Sequence, residues 1–135
     1  MTALVRHITF DTAPPHEPYD LCEFWGRLLG LPVHPGDAPG DDEVALDVPE
    51  GQLTLLFVRV PEAKTMKNRI HLDLEPVQRR DEEVARVLEL GATIVDDRRN
   101  GGRGWVVFAD PAGNEFCVEV SAAERAVLVA GDLQN

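Results

Sequence analysis

Two stretches of this 135-residue chain follow one plan, and an internal repeat of that kind restricts the fold to a pair of equivalent modules. The first stretch opens with His7-Ile8-Thr9-Phe10-Asp11 and the second with His71-Leu72-Asp73-Leu74-Glu75. In both, polar and apolar residues alternate. An amphipathic segment follows, stopping at Gly30 in the first and Gly91 in the second. Each copy then reaches a Pro-x-Gly-amide turn, Pro49-Glu50-Gly51-Gln52 and Pro111-Ala112-Gly113-Asn114, that leads into a β-prone segment. His71 follows His7 by 64 positions, Gly91 follows Gly30 by 61, and Gly113 follows Gly51 by 62. Three marks that agree this closely point to a duplicated unit, which brings the two histidine-bearing strands into equivalent, facing places.

Within each copy the pattern predicts strand, helix, strand, strand, strand. Residues 4–10 read as a strand, and Pro14 and Pro15 keep residues 11–17 irregular. Pro18 suits the first turn of a helix, in which Leu21, Phe24, Trp25, Leu28 and Leu29 form one apolar stripe. Gly30 closes that helix and Pro32 prevents its resumption. Strands are expected at 31–34, 43–48 and 52–60. The second copy gives a strand at 69–75 and a helix near 78–90, with Val84, Val87 and Leu88 inward and Glu82 pairing Arg86 on the wet side. Strands at 92–96, 104–109 and 115–121 complete it. The tail, 122–135, reads as a short helix or an extra strand at Ala126–Ala130. The expectation is a single domain over 1–135, with module one at about 4–60 and module two at about 69–121.

Composition sets the outer bounds. Apolar residues at 44% and charged residues at 27% describe an ordinary globular chain, long enough for one sizeable core. No apolar run approaches the roughly 20 residues that span a bilayer. The start, Met1-Thr2-Ala3-Leu4-Val5-Arg6, does not read as a secretory signal. Cys22 and Cys117 suggest no disulfide framework, so a cytoplasmic location is expected. A net charge of −11 argues against a nucleic-acid partner. Against that background Arg98, Arg99 and Arg103 cluster around Asn100-Gly101-Gly102, either as a solvated turn or as a basic loop that attracts an anion.

Strand parity places the residues that carry chemistry. Ile8 and Phe10 share one face of the first strand, leaving His7, Thr9 and Asp11 on the other. Ile70, Leu72 and Leu74 leave His71 and Asp73 opposite, and Phe116, Val118 and Val120 leave Cys117 and Glu119 opposite. Aligning Gly51 with Gly113 sets Phe57 where the second copy has Glu119, each six residues on. On that alignment Leu53, Leu55 and Phe57 share the face of the histidines, as in a concave, partly apolar pocket rather than a solvated sheet face. Two imidazoles and one carboxylate, His7, His71 and Glu119, form a facial triad suited to Fe(II), Mn(II), Zn(II), Ni(II) or Co(II), with coordination positions left open.

Several segments together resemble the vicinal oxygen chelate superfamily, which includes glyoxalases, bleomycin-resistance proteins and extradiol dioxygenases, and in particular its glyoxalase-like branch. They are Lys67-Asn68-Arg69-Ile70-His71-Leu72-Asp73-Leu74, the helix end Leu90-Gly91-Ala92-Thr93, and Ala109-Asp110-Pro111-Ala112-Gly113-Asn114-Glu115-Phe116-Cys117, with Phe24-Trp25 and Leu29-Gly30 in the first copy. The resemblance covers about residues 4–121. It implies an α+β fold in which two βαβββ modules form a cup-shaped curved mixed sheet with helices outside. It also implies metal ligands on the first and last strands of the modules, a role that falls to His7, His71 and Glu119. Phe57 stands where a glyoxalase I type site has a fourth ligand, a departure that argues against true glyoxalase I activity. Three ligands are more similar to fosfomycin-modifying thiol transferases and extradiol dioxygenases. In the former, Arg59, Arg98, Arg99 and Arg103 are the basic residues available to a phosphonate.

Two functions follow as expectations. One is a divalent-metal-dependent enzyme of lyase, isomerase, thiol transferase or dioxygenase type acting on a small oxygen-rich molecule. In it Thr9 or Asp73 orients a ligand, and Leu53, Leu55, Phe57 and Trp105 shape the pocket. The other is a metal-free protein that sequesters a small molecule, as bleomycin-resistance members do. A homodimer is expected, because open sheet edges favour pairing.

Overall fold

Alternation of period two and an apolar stripe of period 3.6 divide the chain into strands and helices that bury one face each. The computed structural model describes residues 1–134, and the side chains of residues 1–132. The chain divides into two compact units, Met1–Met66 and Lys67–Asn135. The architecture is α+β, and among the described residues no helix is long and apolar enough to cross a membrane.

The first unit contains β1 (His7–Thr12), α1 (Pro18–Leu29), β2 (Glu43–Ala45) and β3 (Thr54–Arg59). Its sheet runs β1-β3-β2, with β3 parallel to β1 and antiparallel to β2. Helix α1 starts at Pro18, whose missing N–H costs nothing in a first turn, and ends at Gly30, which takes the left-handed conformation at φ 71°. Leu21, Phe24, Trp25 and Leu28 are buried, whereas Leu29 is partly exposed, so the stripe is narrower than the spacing predicts. The expected strand at 31–34 survives only as a bridge between Val33 and Leu46, since Pro32 and Pro35 have no N–H to give a ladder. An aromatic stack forms the core: Phe57 lies flat on Phe10 at 5.1 Å, and Phe10 lies 5.2 Å from Trp25 of α1.

That stack corrects the pocket predicted from Leu53, Leu55 and Phe57. In the β1–β3 register His7 faces Thr54, Ile8 faces Leu55, Thr9 faces Leu56 and Phe10 faces Phe57. Partners in register share a sheet face, so Leu55 and Phe57 side with Ile8 and Phe10 against α1, opposite His7. Phe57 is fully buried there, and Leu53, ahead of β3, is partly exposed. The side chains that accompany His7, Thr9 and Asp11 are Thr54, Leu56 and Val58. β3 therefore adds no carboxylate to the histidine face, but the residues that establish this are Leu56 and Val58 rather than Phe57.

The second unit contains β4 (Leu72–Leu74), α2 (Arg80–Glu89), β5 (Thr93–Asp97), β6 (Val106–Ala109), β7 (Glu115–Val118) and α3 (Ala122–Gln134). The sheet order is β4-β7-β6-β5, with only the β4–β7 pair parallel. Val84 and Val87 of α2 are buried. Leu88, one residue beyond Val87 and so about 100° round the helix, is partly exposed. Arg86 pairs with Glu83. Phe108 and Phe116 stack at 5.6 Å in the core.

The tail resolves as a helix, and its start has a chemical cause. Ser121-Ala122-Ala123-Glu124 is a capping box: Ser121 Oγ accepts from the Glu124 N–H at 3.1 Å, and Glu124 Oε1 accepts from the Ser121 N–H at 3.0 Å. Glu124 Oε1 also accepts from the Arg80 N–H at 2.8 Å, so one carboxylate serves the N-termini of α2 and α3. Bonds from Ser121 and Arg80 hold that carboxyl below its ordinary pKa. Arg80 itself is buried, its guanidinium donating to the carbonyls of Gly101 at 2.9 Å and Gly104 at 3.3 Å, and to that of Arg103. Gly104 sits at φ 86°, where a Cβ would lie 2.0 Å from the Arg98 carbonyl oxygen.

Candidate metal centre on the second sheet

The short parallel pair β4–β7 sets out a row of polar side chains on the face away from α2. Leu72, Asp73 and Leu74 stand opposite Phe116, Cys117 and Val118. Phe116 and Val118 enter the core, so Asp73 and Cys117 share the other face. His71, two residues before Asp73, points the same way. One nitrogen of His71, one carboxylate oxygen of Asp73 and Cys117 Sγ all lie within 4.8 Å of one another. His71 and Asp73 are exposed, and Cys117 is buried beneath them.

Electrostatics distinguish the middle of this row from its ends. Glu115, one step before the Leu72–Phe116 pair, is half-buried and paired with Lys67. Glu75, at the far end, is paired with Arg125. Among the described residues no ion pair neutralises Asp73 or Glu119. Burial pushes the Cys117 thiol up to about 11, helped by the negative charge of Asp73 and by the hydrogen bond between the two side chains. The neutral thiol is thus the resting form at ordinary pH.

Sequence reasoning placed Cys117 on the right face but did not count it among the donors. The signal was its sulfur, two residues from Glu119 on the same parity. Glu119 itself donates its N–H to the Leu74 carbonyl at 2.9 Å, which sets it level with Glu75. It therefore lies four residues along the ladder from His71, about 13 Å of strand. The donors gathered around His71 are Asp73 and Cys117. His7 is exposed on β1 of the first unit, beside Thr9 on the same face. Trp105, just before β6, is partly exposed, and its carbonyl accepts from the Arg98 N–H at 2.9 Å.

The arginines suggested for anion contact each meet carboxylates. Arg59 pairs with Glu17 and Asp42, Arg98 with Asp96, Arg99 with Asp97 and Asp81, and Arg103 with Asp132. Arg99 in turn holds the Asp97 carboxyl down at about 2, through side-chain and backbone bonds. The basic loop is electrostatically balanced within its own unit.

His71, Asp73 and Cys117 together offer nitrogen, oxygen and sulfur, a donor set that fits a divalent ion. Bond lengths of about 2.0–2.3 Å place donors on one tetrahedral ion roughly 3.5 Å apart, against 4.8 Å at most between the donor atoms here. Three protein donors would leave a coordination position open to solvent, on the side where His71 and Asp73 are exposed.

Two α+β units of this build, with polar donors on strand faces turned from the helices, place the chain in the class of vicinal oxygen chelate proteins. The chain belongs to the glyoxalase-like domain family, whose model matches residues 7–119. No curated protein matches it. Among solved structures it is similar to hypothetical protein SA1046 from S. aureus, with a TM-score of 0.64 at 18% identity over 89% of this chain and 95% of that one. It is also similar to a mutant of the fosfomycin resistance protein FosX from Listeria monocytogenes, complexed with Mn(II) and 1S,2S-dihydroxypropylphosphonic acid. That match has a TM-score of 0.62 at 16% identity over 93% and 94% of the two chains. TnmS3, an antibiotic binding protein from Streptomyces sp. CB03234, gives 0.56 at 21% identity over 87% and 95%. At these identities the likeness is one of fold.

Proposed function

We propose that this glyoxalase-like domain is a divalent-metal-dependent enzyme acting on a small oxygen-bearing molecule, with His71 at the heart of its metal centre. The observation that carries this reading is the convergence of His71, Asp73 and Cys117 donors within 4.8 Å. The Mn(II) in the FosX structure supports it at the level of the fold. When bound, such an ion polarises an oxygen of the substrate as a Lewis acid. His71 and Asp73 would hold it from the solvent side and Cys117 from below, while the core under β7 fixes the sulfur in place. His7 and Glu119, the other two donors expected from the sequence, are each to be tested by its own substitution.

Metal analysis of the purified protein after growth in metal-supplemented medium tests the reading. Near-stoichiometric metal in the natural protein and its loss in His71→Ala are expected. No metal in the natural protein, or full retention by His71→Ala, refutes it. A second reading is favoured by the protonated Cys117 thiol bonded to Asp73: a metal-free protein that sequesters a small molecule. TnmS3, an antibiotic binding protein of similar fold, supports this second reading. Unaltered ligand capture by metal-free protein and by His71→Ala would decide for it.

A further inference from the structure

We infer that Cys117 makes the centre thiophilic, so that it takes a zinc-like ion through a sulfur bond in preference to manganese. This inference rests on the metal-dependent reading above and names the class of ion for the same residues. Three observations carry it. Cys117 stands in register with Asp73, so its sulfur and the carboxylate rise from neighbouring strands at the same level. His71 brings an imidazole to the same 4.8 Å cluster. Cys117 is buried on β7, between core residues Phe116 and Val118, so its sulfur has little freedom to swing away.

The chemistry of the donors then selects the ion. Thiolate is a soft ligand that favours Zn(II) and its spectroscopic substitute Co(II), while Mn(II) and Mg(II) favour oxygen. An imidazole, a carboxylate and a thiolate form a mixed set of the kind zinc accepts in four-coordinate sites. Glu119 on the same strand is an oxygen donor. A centre built on Glu119 instead would carry no sulfur and would lean toward manganese.

Cobalt distinguishes these arrangements directly, because a Co(II)–thiolate bond gives an intense near-ultraviolet charge-transfer band that oxygen and nitrogen ligands do not. Co(II) is titrated into metal-free protein and the absorption followed. Zn(II) and Mn(II) affinities are then measured on the natural protein and on Cys117→Ser and Cys117→Asp. The expected result is a band saturating at one Co(II) per chain, absent from Cys117→Ser and present in Cys22→Ala. Cys117→Asp should narrow the zinc-over-manganese preference on the order of tenfold. Circular dichroism of each variant confirms that it is folded. Asp73→Asn, at an exposed position, should keep the band at weaker affinity, which tests the sulfur without disturbing the core. Stoichiometric metal without a thiolate band overturns the inference and leaves the metal-dependent reading standing. Failure of the natural protein to bind any of these ions overturns both.

Discussion

Truncating Phe57 and its neighbour Leu56 in turn probes which face of β3 is the core. Phe57 is fully buried and stacked on Phe10 at 5.1 Å with the rings 10° from parallel. Phe57→Ala removes that ring and leaves a cavity, at a cost of about 3–5 kcal/mol, of which roughly 0.5–1.5 comes from the ring pair itself. Leu56 is half-buried on the opposite face, in register with Thr9. Complete burial of a leucine contributes about 1.5–3 kcal/mol, so Leu56→Ala should cost about half of that, near 1 kcal/mol. The two variants should differ by about 2 kcal/mol or more. Trp25, buried in the same core 5.2 Å from Phe10, reports the transition by fluorescence once Trp105 is replaced by Phe. With a urea dependence of roughly 1 kcal/mol per M for a unit of this size, the midpoints should separate by about 2 M. A Phe57→Ala midpoint equal to or above that of Leu56→Ala would refute the register argument, because it would put Phe57 on the open face.

Two further predictions concern the second unit. Glu124→Ala removes the acceptor shared by the Ser121 and Arg80 N–H groups and should cost about 1–2 kcal/mol in chemical unfolding. Glu124→Gln keeps an acceptor and should lose only a few tenths; equal losses would show that charge rather than hydrogen bonding matters. Asp97, held at about 2 against an ordinary 3.8, favours the folded state above pH 3.8, and that contribution is lost as pH falls through 2. Asp97→Asn should therefore flatten the acid limb of thermal stability across that window, and an unchanged slope would contradict the Arg99 pairing.

The sequence carries much of this architecture because strands and helices announce themselves by period. The stripe Leu21-Phe24-Trp25-Leu28 and the alternation at His7 and His71 reappear as buried and exposed faces. Equivalence between the copies was harder to read. Matching Gly51 to Gly113 assumes turns of equal length, yet Thr54 meets His7 three residues after Gly51. The corresponding Glu115, level with His71, comes only two residues after Gly113. A slip of one residue exchanges the two faces of a strand, and that single step carried Leu55 and Phe57 to the wrong side. Cys117 was passed over for a different reason: parity puts it on the histidine face, but only the strand register sets it beside Asp73. The tail hid its helix in the capping box at Ser121, which precedes the apolar run Ala126–Ala130.

Arg80 gives the hairpin tip between β5 and β6 an unusual kind of tolerance. Its guanidinium grips the carbonyls of Gly101, Arg103 and Gly104, groups that every amino acid supplies. The course of the tip is thus written in a helix residue, with glycine required at Gly104, where a Cβ would strike the Arg98 carbonyl, and favoured at Gly101, which sits at φ 59°. Arg98, Arg99 and Arg103 can be exchanged for other side chains while the backbone beneath them keeps its path. For directed evolution, that makes the tip a place to graft new recognition chemistry on a fixed mount, so long as Arg80 is left alone.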